Sequence, residues 1–404
     1  MERTLYENIW NMLSRFKQMV FIAGPRQAGK TTFAQMTAEN FSNSLYFNWD
    51  IFENKRQLIE NPYFYENLNR KDSSIPLVIF DELHKYPQWK NYLKGIYDRD
   101  KENYKFLVSG SGRLDLYQKG GDSLAGRYLL FYLWPFTLAE LAGRNLTFED
   151  FMNNPLWIDT PSYEVTQSWE ALGKFSGFPD PFLNSNEQFY QLWSQTYKKQ
   201  LLREDIRDLT SLRNIENVEI LFSLLPSKIG SPLSLASLAR DLKVSFDSIK
   251  KWLDIFENFL LVFRISSWTH KISRAITKEK KLYVYDYAGI HSPAAKFENM
   301  AALELWRAIS NWNNLGLGHF SLHYLRNREK EEVDFLLAQE NTPFLLIETK
   351  LSNESPSKSL KKFQNMLHIQ AIQLVNKNNV CKIISNGEQK ILVVSADRWL
   401  AMLP

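Results

Sequence analysis

The stretch FIAGPRQAGKTT, residues 21–32, constrains the fold of this chain more than any other. It satisfies the pattern G-x-x-x-x-G-K-[S/T], and the apolar run 19–23 precedes it. Such a stretch predicts a buried strand, a loop whose backbone N–H groups surround phosphates, and a helix whose positive dipole end faces them. A chance match in a glycine-containing loop is the alternative. The predicted ATP-binding residues are Gly24, Pro25, Arg26, Gln27, Ala28, Gly29, Lys30, Thr31 and Thr32.

A second run, IPLVIFDE at residues 75–82, supplies the partner that this loop requires. Its apolar residues predict a central parallel strand that ends in two carboxylates. Lys30 is expected to reach the β- and γ-phosphates, while Thr31 and Asp81 hold Mg²⁺. Glu82 is expected to act as general base on the attacking water, although a strand-end acid can also simply cap the next helix. The pair of acids therefore predicts ATP hydrolysis as well as ATP binding.

Two further runs end or begin near residues that could contact the γ-phosphate. The run KFLVSG, residues 105–110, brings Ser109 to a strand end, where its hydroxyl could sense that phosphate; Ser111 could do the same or form a plain turn. Arg127 precedes the run YLLFYLWPF, which predicts a fifth strand at residues 128–136. We predict that Arg127 contacts the γ-phosphate of its own or a neighbouring subunit, the alternative being a surface pair with an acid.

Composition limits the setting in which these motifs act. At 404 residues with 44% hydrophobic side chains, two or three domains with buried cores are expected. The sequence has no apolar run near the ~20 residues that span a bilayer and no signal-peptide core, so a cytoplasmic protein without a membrane partner is expected. Cys381 is the only cysteine, which excludes an intrachain disulfide and a cysteine-based zinc site. The net charge of +4 is too small to indicate nucleic-acid binding by itself.

The segment 211–285 has the pattern of a winged helix-turn-helix. Lys250 and Lys251 on its second predicted helix could lie against DNA phosphates. Asp247 and Asp254 dilute that charge, and a winged helix can also serve only as a protein adaptor, so both alternatives stay open. The predicted elements are a helix from 234, a turn at 242–245, a helix at 246–259, and wing strands in FLLVFRISSW and KLYVYDY.

The C-terminal third carries a second set of polar residues on otherwise apolar strands. If a hairpin turns on residues 340–342, Asp334 lies opposite Glu348. Glu348 and Lys350 are two positions apart, so both leave the same face of their strand. Two carboxylates and a lysine are what metal-dependent phosphodiester cleavage requires, because the acids hold one or two Mg²⁺ or Mn²⁺ ions and the lysine steadies the water nucleophile.

Taken together, the motifs GPRQAGKTT, IFDELHK, SGSG and LAGRYLLFYLWPF resemble the prokaryotic AAA-like ATPases that carry a C-terminal domain of unknown function with a restriction-endonuclease-like core. The resemblance covers nearly the whole chain, including residues 177–179 and 201–206. It implies a PD-(D/E)xK motif formed by Asp334, Glu348 and Lys350, with Glu298 as a fourth, helix-borne group. Val333 stands where that motif has proline.

The expected fold class is α/β multidomain, with a P-loop AAA-like parallel sheet domain, a helical winged-helix middle domain and a C-terminal restriction-endonuclease-like α/β domain. The expected function is an Mg²⁺-dependent ATPase that drives a DNA-binding module, which either cleaves DNA with a second Mg²⁺ or Mn²⁺ or only binds it. The alternative is a nucleotide-switched regulatory or scaffold protein whose nuclease-like domain does not cut. A homo-oligomer follows if Arg127 acts between subunits. The predicted domains are 1–145 (ATPase core), 146–210 (helical connector), 211–285 (winged helix) and 286–404 (nuclease-like).

Overall fold

The computed structural model describes residues 3–110, 124–143, 146–159, 163–206, 215–269 and 279–404. Two compact units are present, Met1–Pro135 and Phe136–Pro404. The predicted boundaries near residues 210 and 285 therefore lie inside the second unit. Ser111 lies outside the described residues, so its predicted role stays a prediction.

The first unit is built on a parallel sheet whose five described strands follow the order β2-β3-β4-β1-β5. The strands β1 and β3 are buried along their whole length, as expected for apolar runs that helices cover on both faces. This arrangement confirms the predicted α/β class for the N-terminal part. The strands are β1 (Met19–Ala23), β2 (Ser44–Asn48), β3 (Leu77–Asp81), β4 (Lys105–Ser109) and β5 (Tyr128–Tyr132), and the helices are α1 (Thr4–Leu13), α2 (Lys30–Glu39), α3 (Phe52–Glu60) and α4 (Trp89–Asp100).

The fifth strand is shorter than the sequence predicts. It ends at Tyr132 instead of residue 136, although the Leu133 N–H still donates to the Ala23 carbonyl at 2.8 Å. The neighbouring strand β1 ends at Ala23, opposite Tyr132, so β5 has no partner strand beyond that point.

The strand order places the carboxyl ends of β1, β3 and β4 side by side at one edge of the sheet. Because β4 lies between β1 and β3, Ser109 is in register with Ile22 on one side and with Asp81 on the other. The phosphate loop begins directly after β1. All three predicted features therefore meet at the carboxyl edge of the sheet, where parallel sheets bind ligands.

The second unit contains a mixed sheet, whose eight described strands follow the order β12-β13-β11-β10-β9-β8-β6-β7. Its strands are β6 (Val262–Ser267), β7 (Lys281–Val284), β8 (Phe320–Arg326), β9 (Glu332–Gln339), β10 (Thr342–Lys350), β11 (Gln370–Val375), β12 (Cys381–Asn386) and β13 (Gln389–Ser395). Its helices are α5 (Leu138–Ala142), α6 (Phe148–Asn153), α7 (Tyr163–Phe175), α8 (Pro179–Asn184), α9 (Glu187–Gln200), α10 (Ile215–Leu224), α11 (Leu235–Asp241), α12 (Phe246–Asn258), α13 (Pro293–Asn314), α14 (Lys358–Leu367) and α15 (Ala396–Leu400), with a π-helical turn at Leu201–Ile206.

The helices α11 and α12 occupy the positions predicted for a helix-turn-helix, and Ser245 caps α12 through the Ser248 N–H. The strands predicted as wings, β6 and β7, pair antiparallel with each other. However, β6 also pairs with β8 in parallel, at Ser266 with His323. The two strands therefore belong to the large sheet of the second unit instead of forming a separate wing.

The hairpin between β9 and β10 has the predicted register but a different turn. Gln339 pairs with Thr342, so the turn is the two-residue step Glu340-Asn341, both with positive φ, and not three residues. A bulge between Pro343 and Leu345 then adds one residue to β10. The two differences cancel, because the ladder reaches Phe335 opposite Ile347, one step from the Asp334 and Glu348 positions.

Candidate functional sites

The phosphate loop needs glycine where the sequence has it. Gly24 has a φ of 150° and Gly29 a φ of 92°, both in the region that favours glycine. An added Cβ on Gly24 would stand 2.2 Å from the Leu133 carbonyl oxygen. Gly29 precedes α2 and has no side chain that could cap it, so the first N–H groups of this helix are left for a ligand such as phosphate.

Lys30 is a buried cation that lies against its own loop. Its ammonium donates to the Gly24 carbonyl at 3.0 Å and to the Pro25 carbonyl at 2.7 Å. Burial lowers its pKa to about 8, although the Glu82 and Asp81 carboxylates act in the opposite direction. A desolvated ammonium bonded to neutral carbonyls is a group that an anion would stabilise, so the loop fits a phosphate chain.

The remaining loop residues differ in exposure. Ala28 is buried, and its carbonyl accepts a hydrogen bond from the guanidinium of Arg3 at 2.9 Å. The same guanidinium donates to the Trp134 carbonyl at 2.7 Å. The contact between Arg3 and the loop spans 25 residues, and sequence reasoning missed it. Gln27 and Thr32 are exposed.

Asp81 is the centre of a hydrogen-bond network at the carboxyl edge of the sheet. Its Oδ2 accepts from the Thr31 hydroxyl and from the Tyr46 hydroxyl, each at 2.7 Å, and from the Asn48 amide at 3.4 Å. The Ser109 hydroxyl donates to Oδ1. The structure thus brings together three predicted residues, Thr31, Asp81 and Ser109. A hydroxyl and a carboxylate suit Mg²⁺, which keeps several waters and is usually bound through one or two carboxylates and substrate phosphates.

Tyr46 and Asn48 lie on β2 and were not predicted. Asn48 is the parallel register partner of Asp81, and Tyr46 is two residues earlier on the same strand face. Burial, followed by the hydrogen bond to Asp81, raises the pKa of Tyr46, so its hydroxyl stays a donor. The signal in the sequence was the pairing of the SLYFN and LVIFD strands, which becomes visible only when their register is known.

Glu82 follows Asp81 in a left-handed conformation, with a φ of 55°. Its N–H donates to the Ser109 carbonyl at 3.0 Å, which holds the turn against β4. Its carboxylate lies 3.4 Å from the Lys85 ammonium and 3.5 Å from the His84 ring. Burial raises the pKa of Glu82 even though Lys85 and Lys30 oppose that effect. A carboxylate with a raised pKa is a stronger general base than an ordinary one.

Arg127 is not brought to this site within one chain. Its carbonyl accepts from the Met19 N–H at the first residue of β1, whereas the phosphate loop follows the last residue of that strand. A five-residue strand spans roughly 16 Å, so Arg127 lies at the opposite edge of the sheet. Its guanidinium pairs with Asp98 at 2.8 Å. Contact with its own γ-phosphate was therefore wrongly predicted, and contact with a neighbouring subunit stays a prediction.

A cleft of about 360 Å³ in the second unit holds the other predicted residues. Glu298 on α13, Asp334 on β9 and Lys350 on β10 line it, together with Thr349. Glu348 is buried and joins them through the Lys350 ammonium at 2.9 Å. The structure therefore places all four predicted residues in one neighbourhood.

Lys281 is a buried cation in this neighbourhood that sequence reasoning missed. Its ammonium is fully buried and lies 2.7 Å from Glu332, 2.9 Å from Glu298 and 3.5 Å from Asp334. The Tyr283 hydroxyl also donates to Glu298, at 2.9 Å. Burial and the nearby Asp334 carboxylate raise the pKa of Glu298 to about 7. Lys281 and Tyr283 alternate along KLYV, part of a run that the sequence predicts as a wing strand.

The oxygen atoms of Asp334 and Glu348 have partners within the chain. Asp334 Oδ2 accepts from the Thr349 N–H at 2.8 Å and hydroxyl at 2.7 Å, while Oδ1 faces Lys281. Glu348 accepts from the Ser357 hydroxyl at 2.6 Å and pairs with Lys350. Within the described part of the chain, no group of three or more histidine, cysteine or acidic side chains is arranged to hold a metal ion. The described residues therefore do not show the predicted second metal site.

The helices described by the structure include none that is both long and apolar enough to cross a bilayer.

Three family models match consecutive parts of the chain. Residues 16–142 match an AAA domain, residues 167–299 a domain of unknown function (DUF8612), and residues 294–396 a second domain of unknown function (DUF4143). The junction between the last two falls on α13, the helix that carries Glu298.

Two relatives, each named only as an uncharacterized protein, match most of the chain. A protein of Methanocaldococcus jannaschii is 25% identical over 410 residues, which span 95% of this chain and 86% of that protein. A protein of Mycobacterium tuberculosis is 22% identical over 350 residues, which span 85% of this chain and 73% of that protein. Among solved structures, AMPPCP-bound DnaA from Aquifex aeolicus is similar over 63% of this chain and 86% of its own, with 13% identity and a TM-score of 0.24. The AAA match supports a P-loop AAA-like ATPase in the N-terminal part, followed by two segments similar to domains of unknown function.

Proposed function

We propose that this protein is an Mg²⁺-dependent ATP hydrolase whose second unit is a nucleic-acid-binding module. One observation carries the enzymatic part: Lys30, Thr31, Asp81, Glu82 and Ser109 meet at the carboxyl edge of one parallel sheet, beside a glycine loop and the start of α2. These are the residue types that phosphoryl transfer to water requires.

Each residue has a distinct task in this proposal. Lys30 turns from the loop carbonyls to the phosphate oxygens and neutralises their charge. Thr31 and Asp81 hold Mg²⁺, which supplies further positive charge at the phosphates. Tyr46 and Ser109 keep the Asp81 carboxylate in a fixed orientation from two sides.

Glu82 is the proposed general base. It accepts a proton from the water that attacks the γ-phosphorus, and its raised pKa makes it a stronger base than an ordinary carboxylate. The Lys85 ammonium lies against the Glu82 carboxylate, and the backbone bond to Ser109 fixes the turn that carries it. Removing the charge of Glu82 would therefore affect hydrolysis more than nucleotide binding.

ATP turnover by purified protein tests this part of the proposal. Lys30→Ala should lower phosphate release by at least about 100-fold, because the charge on the phosphates loses its nearest cation. Glu82→Gln should retain Mg²⁺-dependent binding of a fluorescent ATP analogue while turnover falls by about 100-fold or more. Lys94→Ala, at an exposed position on α4, is the matched control and should turn over ATP like wild type. ATP turnover in Lys30→Ala equal to that of wild type would disprove the proposed ATPase function.

Nucleic-acid binding is supported by the exposed lysines at the start of α12. Lys250 and Lys251 are both exposed and follow the capped first turn of this helix, the position at which a helix-turn-helix contacts DNA. Binding of a labelled duplex should weaken with added salt, and a Lys250→Glu/Lys251→Glu double variant should bind more weakly with a shallower salt dependence. Equal affinity and equal salt dependence in wild type and variant would exclude this surface.

The partners of the cleft carboxylates favour a second unit that binds nucleic acid without cleaving it. The buried Lys281 ammonium lies 2.9 Å from Glu298 and 3.5 Å from Asp334, so a metal ion at these acids would compete with a cation that the chain itself supplies. We expect wild-type protein to leave single- and double-stranded DNA and RNA intact with Mg²⁺ or Mn²⁺, with and without ATP. Metal-dependent nicking that is lost in Glu348→Ala would establish a nuclease instead.

A further inference from the structure

We propose that the Lys281 ammonium, buried behind the two cleft-lining acids Glu298 and Asp334, is a resident cation that takes the place of a divalent metal there. We define the carboxylate cluster as Glu298, Glu332 and Asp334. The inference concerns this cluster alone and does not depend on ATP hydrolysis. It deepens the proposed binding role of the cleft, because it identifies the residue that would make the cleft independent of metal.

The carboxylate cluster surrounds the ammonium from two elements. Glu332 and Asp334 are two residues apart on β9 and leave the same strand face, while Glu298 comes from α13. The ammonium lies 2.7, 2.9 and 3.5 Å from Glu332, Glu298 and Asp334, respectively. A lysine has three N–H donors, so one donor is available for each carboxylate.

Two further contacts and one glycine fix this arrangement. The Tyr283 hydroxyl donates to the Glu298 oxygen that also bonds Lys281. The Lys281 ammonium lies 5.7 Å from the centre of the Tyr324 ring, within the range of a cation–π contact. Gly230 leaves room on the other side, since a Cβ there would come to 3.0 Å from the second Glu298 oxygen. The surroundings are thus shaped around a lysine that already bridges the acids.

A metal ion held between Glu298 and Glu332 would exclude this ammonium. Mg²⁺ needs carboxylate oxygens at about 2.0–2.1 Å, so an ion shared by Glu298 and Glu332 would lie where the ammonium now bonds both. Lys281 has no exposed surface, and its withdrawal would leave it as an unpaired buried charge. Arg326 adds a second cation at 3.1 Å from Glu332, so the acids are already largely neutralised.

This arrangement changes what the cleft can do. Without a metal there is no activated water for phosphodiester hydrolysis, but a cation remains at the surface. Lys350, whose side chain is 36% exposed, lines the cleft and can bind a phosphate through its charge. The cleft would then recognise a nucleic-acid backbone and leave it intact.

Binding of Mn²⁺ to nucleotide-free protein, followed by electron paramagnetic resonance, tests the inference. Wild type should bind no Mn²⁺ that depends on Asp334, so wild type and Asp334→Asn should give the same signal at millimolar Mn²⁺. Lys281→Met removes the charge and keeps an apolar stem of similar length, and it should gain one Mn²⁺ site. Its Tm should rise by about 5 °C or more when Mn²⁺ is added at high excess over its dissociation constant.

Lys362→Met is the matched control, because Lys362 pairs with Glu331 at an exposed position next to β9. It should gain no Mn²⁺ site. A wild-type Mn²⁺ site that disappears in Asp334→Asn would overturn the inference, and so would a folded Lys281→Met protein that gains no Mn²⁺. If Lys281→Met does not fold, the comparison of wild type with Asp334→Asn decides alone. Since no nucleotide is present, each of these results is separate from the outcome of the ATPase assay.

Discussion

The close approach of β5 to the phosphate loop makes Gly24→Ala a demanding test of the first unit. The new Cβ would stand 2.2 Å from the Leu133 carbonyl oxygen, and ordinary contact begins at 3.4 Å. The difference, 3.4 minus 2.2, is 1.2 Å, and the end of β5 or the loop must move by about that distance. The obstacle is backbone, so no side-chain rotation can relieve it. In addition, a φ of 150° is one that residues with a Cβ rarely adopt.

These two effects set the size of the expected loss. A strained backbone angle costs about 1–3 kcal/mol, and forced displacement in a packed region costs about the same again. We therefore expect the free energy of unfolding of the first unit to fall by about 2–6 kcal/mol. The Leu133 N–H is bonded to the Ala23 carbonyl, so a shift of β5 also displaces the loop. Affinity for MgATP should fall by at least about tenfold, the equivalent of 1.4 kcal/mol.

Gly95→Ala is the matched control, because it is the same chemical change in the same unit. Gly95 is exposed in the interior of α4, and an added Cβ would meet no described atom within 4 Å. This variant should be more stable than wild type by about 0.5–1 kcal/mol, since alanine favours helix. Amide hydrogen exchange of the β1 and β3 peptides measures the opening free energy of this unit separately from the rest of the chain. If Gly24→Ala exchanges no faster than Gly95→Ala and binds MgATP equally well, the argument from close approach is wrong.

Two further predictions concern buried polar groups. Burial raises the pKa of Glu304 from 4.5 to about 7. Between these pH values the folded second unit therefore binds more protons than the unfolded chain. The free energy of unfolding of the second unit should fall by about 3 kcal/mol as pH rises through that window. Glu304→Gln should flatten this dependence in urea unfolding, and an unchanged slope would contradict the assignment. Tyr46→Phe removes one hydrogen-bond donor to Asp81, and three other donors remain. This change should lower the free energy of unfolding of the first unit by about 1.5 kcal/mol and speed amide hydrogen exchange in β3. Unchanged exchange in β3 would contradict the hydrogen bond from Tyr46.

The first unit could be predicted well because its signals are local. The glycine loop, the apolar runs and the acids at their ends lie within a few residues of one another, and residue type alone fixes their roles. Tyr46 and Arg3 were missed for the opposite reason. Tyr46 reaches Asp81 only through the pairing of β2 with β3, and Arg3 reaches Ala28 from the segment before α1. Such contacts depend on register and on chain reversal, which a single sequence does not display.

In the second unit the predicted strand register is correct although the predicted turn is not. Counting outward from a three-residue turn placed Asp334 opposite Glu348, and the structure has that register because a shorter turn is offset by a bulge near Pro343. Lys281 was not predicted, since its partner Asp334 is 53 positions away, by subtraction, on a strand that the sequence assigned to another domain. A wing strand at KLYVYDY would place Lys281 outside the nuclease-like domain.

The strand β6 has a mechanical consequence for how the second unit could respond to ATP. It pairs with β7 on one side and with β8 on the other, so α12, which leads into it, is tied by hydrogen bonds to the sheet that carries the cleft. The helix α12 therefore cannot rotate far against this sheet unless backbone hydrogen bonds of β6 break. A lysine surface on α12 and the cleft residues would therefore move as one piece. A movement of this unit would displace the lysine surface and the cleft together, and the distance between them would stay the same.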